Sequence, residues 1–516
     1  MGINTVISKL SKKPLKTLAS IYLAQKWKRI QQDQLNPVAA QERALQKLKR
    51  NLAHTLNAKI LETVSTLEDF AVKVPVKVHS DFETSIEKVC NQNAKGLLFN
   101  DELEFVGLSS GTIGGKCKRI PFNKKMVKVF TSFQTNFAAI VEHHSKVKFI
   151  ADKRLTWGSS PITGVTETGI PCGYISGFLA TRSPSLMKST AFPSIQTSLI
   201  ENMKEKILTA GAEIKNEDIR IISAVPTYLI NLLQELKAEW GIENFSEVWP
   251  NLEAIGYSAT SIEPYREQIQ KLIGKPLKFF GAYASTEAPL GYEIPSMNGN
   301  RSGVYSFNFG EIVFMFRKII NQGSDNATQS LCSVADLKVG DEVEVLISSP
   351  NGFLQYAMGD GLRILSVKPT ITFEVLGRIG QGLNVATEKV PMRQLQKAVT
   401  LTAEKNKIQI AHFFVHPGQA ANGTACYEWT LIVDQPENLD AEVLGAFLDS
   451  TLMQLNADYE ENRIQMGFLE KPIVHLMKTD VVKKYFAKES HRGQLKMKTA
   501  FDSADKFNTF LSELTG

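Results

Sequence analysis

The chain has 516 residues, 43% of them apolar and 22% charged, the make-up of an ordinary soluble globular protein with material for two or more domains. Its net charge is +6, but residues 1–50 hold eleven Lys or Arg against two acids, so that arm alone is +9 and the rest of the chain −3. Such a body argues against nucleic-acid binding, and five scattered cysteines (90, 117, 172, 332 and 426) without a CxxC pair argue against a disulfide framework or a zinc ribbon. A reducing, cytoplasmic setting is the expectation. No apolar run approaches the roughly 18 residues that span a bilayer. Lys9, Lys12, Lys13 and Lys16 interrupt any signal-like core, and Val6 stands where an N-myristoylation signal wants Ser or Thr.

In the basic arm, Ile7, Leu10, Leu15, Leu18, Ile21, Tyr22 and Trp27 recur at roughly helical spacing with lysines between them. A membrane-surface helix reads this way. So does an N-terminal helix packed on the body with a solvated cationic face, and that reading is preferred. Pro37 and the run Gln41–Ile60 predict a second helix. Phe70–Pro75 and Leu103–Leu108 read as strands around a helical Phe82–Cys90. Further helices are expected over Phe122–His143, Ser194–Ala210 and Tyr228–Trp240. Strands are expected over Ile219–Val225, Asn251–Tyr257, Leu277–Ala282, Glu311–Phe316, Glu342–Ile347 and Ile371–Leu376. Alternation of this kind predicts an α/β architecture.

Near Arg378 the composition changes to the glycine-dotted GRIGQGLNVATEKV. A helix (Met392–Lys405), two β-rich runs (Ile408–His416 and Cys426–Val433), a helix (Ala441–Leu455), a strand (Ile473–Met477) and a lysine-rich tail follow. The expected organisation is a large domain over 1–377, carrying the arm 1–50, and a small α+β domain over 378–516, hinged at Gly377–Gly382. His143, His144, His412, His416, His475 and His491 suggest no metal site, because no third ligand can be placed beside any pair.

The most chemically loaded stretch is SSGTIGGKCKRIP, residues 109–121. Glycines let backbone N–H groups approach a ligand, and hydroxyls with lysine complete an anion cradle. Its glycine spacing fails the P-loop pattern: Gly111 and Gly115 are too close, and Cys117 follows Lys116 where a hydroxyl is required. Three later clusters follow β-rich runs or sit near the C-terminus: GAYASTE (281–287), YAMGDG (356–361) and GQLKMK (493–498). Taken singly, Glu287 could be a helix N-terminal carboxylate and Asp360 a turn cap. Together they supply what ATP needs: a phosphate loop, a carboxylate for Mg²⁺ (Glu287), an aromatic wall (Tyr283), an acceptor for ribose hydroxyls (Asp360) and a mobile cation (Lys496).

In order and spacing these clusters resemble the auxin-responsive acyl-acid amido synthetase family of the adenylate-forming superfamily. VWPNLEAIGYSATSIEPY (248–265), FEVLGR (373–378) and LNADYEENR (455–463) extend the likeness from about Gln41 to Lys498. The resemblance implies a large adenylate-forming domain with β-sheets flanked by helices, a small mobile C-terminal domain, and ATP and Mg²⁺ as cofactors. It implies that a carboxylic acid is adenylated and passed to an amino acid; the alternatives are transfer to a thiol such as coenzyme A, or a catalytically degenerate nucleotide binder.

It also implies residue roles. Ser109, Ser110, Gly111, Thr112 and Lys118 would meet the phosphates, Tyr283, Ala284, Ser285 and Thr286 the adenine, and Glu287 the Mg²⁺. Asp360 and Arg378 would reach the ribose, Lys496 would swing in as the catalytic lysine, and Tyr174, Val225 and Tyr228 would line the acyl pocket near Trp157. Two motifs depart from the family pattern, the third with Ala357 where Arg is usual and the C-terminal one with Met497-Lys498 after Lys496, where Pro-Arg is usual a residue or two on.

Overall fold

A computed structural model describes residues 12–113, 116–158, 162–182, 189–259, 262–319, 331–379, 382–383, 385, 388, 390–465, 467–488, 497–501 and 503–515. They group into two compact units, Met1–Met358 with Leu362–Val375, and Gly359–Gly361 with Leu376–Gly516. Among the described residues no helix is long and apolar enough to cross a membrane.

The first unit opens with α1 (Lys12–Leu35) and α2 (Pro37–Asn51). Pro37 suits the first helical position, where its missing N–H is no loss. The expected apolar stripe of the arm divides in the structure. Leu23, Trp27 and Ile30 are buried with Gln34, whereas Leu18, Ile21 and Tyr22 are exposed. At 3.6 residues per turn these two sets fall on opposite faces of one helix. Trp27 stacks on His143 (4.5 Å between centroids) and meets His144 edge-on (5.1 Å). Buried glutamines pin both helices to the body: Gln34 Nε2 donates to Phe307 O (2.6 Å), and Gln41 Nε2 to Phe309 O (3.0 Å) and Ile312 O (2.9 Å).

The SSGTIGGKCKRIP segment is a β-hairpin rather than a loop behind a strand. β1 (Leu103–Ile113) pairs antiparallel with β2 (Lys116–Asn123), with partners as far out as Ile113 and Lys116. Asn123, not Phe122, then starts α3 (Lys124–His144), its side chain accepting from the Met126 amide (2.8 Å). The main sheet collects β3 (Lys153–Trp157), β6 (Ala191–Phe192), β7 (Ile219–Ala224), β8 (Ala254–Ser258), β9 (Lys278–Ala284), β10 (Pro289–Tyr292), β11 (Val304–Phe307), β12 (Val313–Lys318), β13 (Glu342–Ser348), β14 (Tyr356–Ser366) and β15 (Thr372–Arg378). Its order is β12-β13-β14-β15-β11-β10-β9-β8-β7-β3-β6, eleven strands in all. β4 (Gly164–Val165) and β5 (Pro171–Gly173) join the hairpin in a separate four-stranded sheet, order β2-β1-β5-β4.

The strands β6, β3, β7, β8 and β9 are parallel neighbours, and β7 and β8 within them are largely buried. Leu155, Ile222 and Ile255 pack under α4 (Met203–Ile214) and α5 (Pro226–Trp240); Ile221, Ala254 and Phe280 pack under α3 with Trp27. That two-sided cover explains the mostly apolar sequences of β7 and β8.

Helix caps overturn two of the expected elements. Phe70–Pro75 is not a strand: a helix runs Leu67–Lys73, started by Thr66, whose hydroxyl accepts from Asp69 N (3.1 Å). Ser194–Ala210 is not one helix but two, Ile195–Ser198 and α4, each with its own cap, Ser194 and Asn202. A Ser, Thr or Asn side chain competing for backbone N–H groups restarts the helix at each of these points. The second arm helix likewise stops at Asn51, with only a short turn at Ala58–Glu62 beyond it.

The second unit carries β16 (Gly382–Leu383) against β17 (Val390–Pro391), then α6 (Met392–Asn406). Its three-stranded sheet joins β18 (Ile410–Gln419) antiparallel to β19 (Ala425–Val433), and β19 parallel to β20 (Ile473–Lys478); α7 (Ala441–Leu455) follows β19. Helices Thr479–Lys488 and Ala504–Thr515 occupy what the sequence showed as a lysine-rich tail. Inside this unit Arg463 forks onto Asp449 (2.8 and 2.7 Å), and Tyr459 OH donates to the same carboxylate (2.8 Å). Removing one member of a buried pair leaves the other charge uncompensated. Asp449→Ala is therefore expected to cost about 3–5 kcal/mol, measured as the shift of the urea unfolding transition of this unit.

Candidate active site

In an open α/β sheet, ligand groups collect beyond the carboxyl ends of the parallel strands. Strand register sets Trp157, Ala224, Tyr257 and Gly281 level across β3, β7, β8 and β9. Val225, the N-cap of α5, and Tyr228 in its first turn therefore sit at this edge, as does the turn after β9. Tyr174 follows β5, which pairs with β1 at Val106 and Gly107. Lys206 of α4 is also drawn here: its buried ammonium donates to Gly158 O (2.9 Å) and lies 5.4 Å from the Trp157 ring, and burial pushes its pKa down to about 8. Ala259, just past β8, holds a left-handed φ of 72°. Such a conformation costs a residue with a side chain and concentrates at functional sites.

The hairpin meets the turn after β9 at Gly107. A Cβ there would stand 2.7 Å from Thr286 Cγ2 and 2.8 Å from Phe122 Cε2. Contact between the SSG strand and the YASTE turn thus depends on a residue without a side chain. The turn is closed by Ser285 N to Ala288 O (2.9 Å) and Ala288 N to Ser285 Oγ (3.2 Å), and it delivers Glu287 into a buried position. Tyr283 is half-buried against Tyr305 (5.7 Å) and Phe373 (6.0 Å). Beneath them Glu293 accepts from Gly281 N (2.8 Å) and from Tyr257 OH, and its burial raises its pKa against the pull of those bonds.

Tyr356, first residue of YAMGD, is buried with its hydroxyl 3.5 Å from Glu287 Oε1. Its ring meets His79 edge-on, 6.3 Å between centroids. Burial lowers the pKa of His79; the Lys118 charge adds to that, and Glu287 and Glu83 oppose it. Ser109 is buried and Lys118 half-buried. Ala284 and Ser285 are half-buried with Thr286.

Asp360 is buried in β14 and belongs to the second unit, where Ile379 N donates to neighbouring Gly359 O (2.7 Å). Gly111 lies in β1; the side chains of Ser110, Thr112 and Arg378, and Lys496 altogether, lie outside the described residues. The first unit therefore gathers Ser109, Lys118, Tyr283, Ser285, Thr286 and Glu287 around β1 and β9. His79, Glu293 and Lys206 were missed by sequence reasoning. None lies in a motif, and a lone histidine, glutamate or lysine carries no pattern that separates it from the surface.

This mixed sheet, with the hairpin set against the turn past β9, shares its overall fold with solved adenylate-forming enzymes. An acyl acid amido synthetase of known structure, GH3.15, matches with a TM-score of 0.74 at 17% identity over 95% of each chain. A 2-hydroxyisobutyryl-CoA ligase in its postadenylation state matches with a TM-score of 0.50 at 10% identity, covering 95% of this chain and 91% of that one.

Three domain models of one family match in order: the GH3 family N-terminal domain over residues 26–210, the central domain over 302–378 and the C-terminal domain over 393–505. The chain belongs to the GH3 family. Similar proteins include the indole-3-acetic acid-amido synthetase GH3.4 of Arabidopsis thaliana, 22% identical with 85% of each chain covered. The jasmonoyl–L-amino acid synthetase JAR6 of Nicotiana attenuata is 20% identical, with 68% of this chain and 70% of the relative covered.

The Gly107 contact is directly testable. Gly107→Ala forces Thr286 or Phe122 to move and is expected to cost about 1–3 kcal/mol of stability, read from urea unfolding. Adding Thr286→Ala should recover part of that loss, because the two sites share one contact.

Proposed function

We propose that this protein is an ATP-dependent acyl-acid amido synthetase, which activates a carboxylic acid as its adenylate and transfers the acyl group to an amino acid. The observation that carries this reading is the seating of the SSGTIGGK hairpin on the YASTE turn at Gly107, with Glu287 buried at the junction. In this reading Ser109, Ser110, Gly111 and Thr112 offer hydroxyls and backbone N–H groups to the phosphates, and Lys118 offers positive charge. Tyr283, Ala284, Ser285 and Thr286 form the adenine wall. Asp360 and Arg378 hold the ribose, and Tyr174, Val225 and Tyr228 shape the acyl pocket. The hinge at Gly377–Gly382 separates a domain over 1–377 from one over 378–516, whose Lys496 reaches the reacting phosphate.

Glu287 is the residue that would hold Mg²⁺. Among the described residues no group of three or more His, Cys, Asp or Glu side chains is placed to hold a metal. A buried single carboxylate suits an ion that keeps waters and substrate phosphates as its other ligands. When bound, that ion supplies charge neutralisation to the triphosphate.

The chain's own groups account for the rest. As the carboxylate attacks the α-phosphorus, negative charge grows on phosphate oxygens and on the departing pyrophosphate. Hairpin N–H groups and lysines fixed in a partly buried site offset it without reorganising. The resulting mixed anhydride is open to attack by a free amine. Movement of the small domain would exclude water between the two steps.

ATP–pyrophosphate exchange over a panel of aryl, indole and fatty acids tests the first step. At least one acid should support exchange; a folded, ATP-binding sample that exchanges with none overturns the proposal. Supplying amino acids or coenzyme A with the active acid, and identifying the product by mass, should yield an amide and no thioester. Glu287→Ala and Lys496→Ala are each expected to lower exchange about 100- to 1,000-fold. Lys496→Ala should leave ATP affinity nearly unchanged, and a loss confined to ATP binding contradicts its catalytic role.

A further inference from the structure

His79 opens the short turn His79–Phe82, and its segment runs beside the start of β14. Lys77 N donates to Gln355 O (3.0 Å) and Ala357 N to Lys77 O (2.8 Å), so the backbone around His79 is tied to the YAMGD strand. The imidazole is only 7% exposed, and among the described residues its Nδ1 has no hydrogen-bond partner. Buried polar atoms in native proteins are nearly always paired, and an orphan is costly. A histidine kept for packing alone could be a phenylalanine, since its ring faces Tyr356 and follows an apolar-lined segment.

The surroundings indicate what completes the ring. Tyr356 links His79 to Glu287 through the 3.5 Å approach of its hydroxyl, and the charges of Lys118 and Glu287 both reach the imidazole. A ligand that satisfies this corner must offer hydrogen-bond acceptors and negative charge to Lys118. It must also lie next to a carboxylate suited to a divalent ion. Glu287 would hold the ion that neutralises charge on the triphosphate, so its neighbourhood belongs to the phosphate end of the nucleotide.

We propose that His79 is a nucleotide-contacting residue, whose Nδ1–H donates to a β- or γ-phosphate oxygen of ATP, the part that departs as pyrophosphate. This rests on the amido synthetase reading for the presence of ATP but assigns a residue that no motif contains. It predicts a selective defect, because AMP lacks the phosphates that His79 touches.

The test is calorimetric titration of the full-length protein with ATP, pyrophosphate and AMP in magnesium buffer, without acid substrate. His79→Phe keeps the ring contact with Tyr356 and removes the nitrogen. It should weaken ATP and pyrophosphate about 10- to 100-fold and leave AMP affinity within about twofold. His79→Asn, which places an amide N–H near the Nδ1 position, should restore much of the lost affinity. An unchanged ATP-to-AMP affinity ratio in His79→Phe overturns the assignment, as does an equal loss for both nucleotides or an Asn variant no better than Phe. Wild-type protein that binds no ATP overturns the enzymatic reading itself, so the two failures are distinguishable.

Discussion

A missing side chain at residue 107 governs the active end of this molecule. The methyl of Thr286 and the ring of Phe122 occupy the space that any Cβ there would claim. Because of that approach, the hairpin bearing the hydroxyls and lysines lies against the turn bearing Glu287. Separate them by the width of a methyl group and the hairpin no longer adjoins the turn that carries Glu287. Sub-ångström placement matters here because preorganised dipoles act only where charge develops.

Placement of this kind needs support from below, and the structure provides it with buried polar groups. Glu293 sits under Gly281, accepting its amide and the Tyr257 hydroxyl, so the end of β9 is held from behind as well as by its ladder. Tyr356 does the same for Glu287 from the YAMGD strand. In the second unit Tyr427 donates to the fully buried Glu388 (2.5 Å), tying the glycine-dotted segment to the small sheet. Each such group is costly alone and stabilising when paired, which concentrates geometric precision where the motifs lie.

The arm shows how local pattern can mislead. Spacing of apolar residues from Leu18 to Trp27 was compatible with one stripe, yet the helix buries Trp27 with Leu23 and Ile30 and turns Leu18, Ile21 and Tyr22 outward. Periodicity allows several rotations of the same helix; the neighbour decides among them, and here His143 and His144 on α3 receive the indole. The misread strand at Phe70–Pro75 is a different failure. Its apolar residues suit either state, and a single cap at Thr66 tips the balance.

The linear sequence determined the family, the α/β class and the candidate nucleotide motifs, because each motif is a contiguous stretch whose chemistry is visible residue by residue. The alternation of apolar runs was legible for the same reason: buried parallel strands need apolar side chains on both faces whatever surrounds them. Only the tertiary structure decided that the SSGTIGGK segment is a hairpin seated on Thr286, that Glu287 is buried beside Tyr356, that His79 and Glu293 lie against these motifs, and that Lys206 lies against Trp157. Those facts are distances between residues far apart in the chain. They are set by which surfaces pack and which buried polar atoms find partners, and no local pattern encodes them.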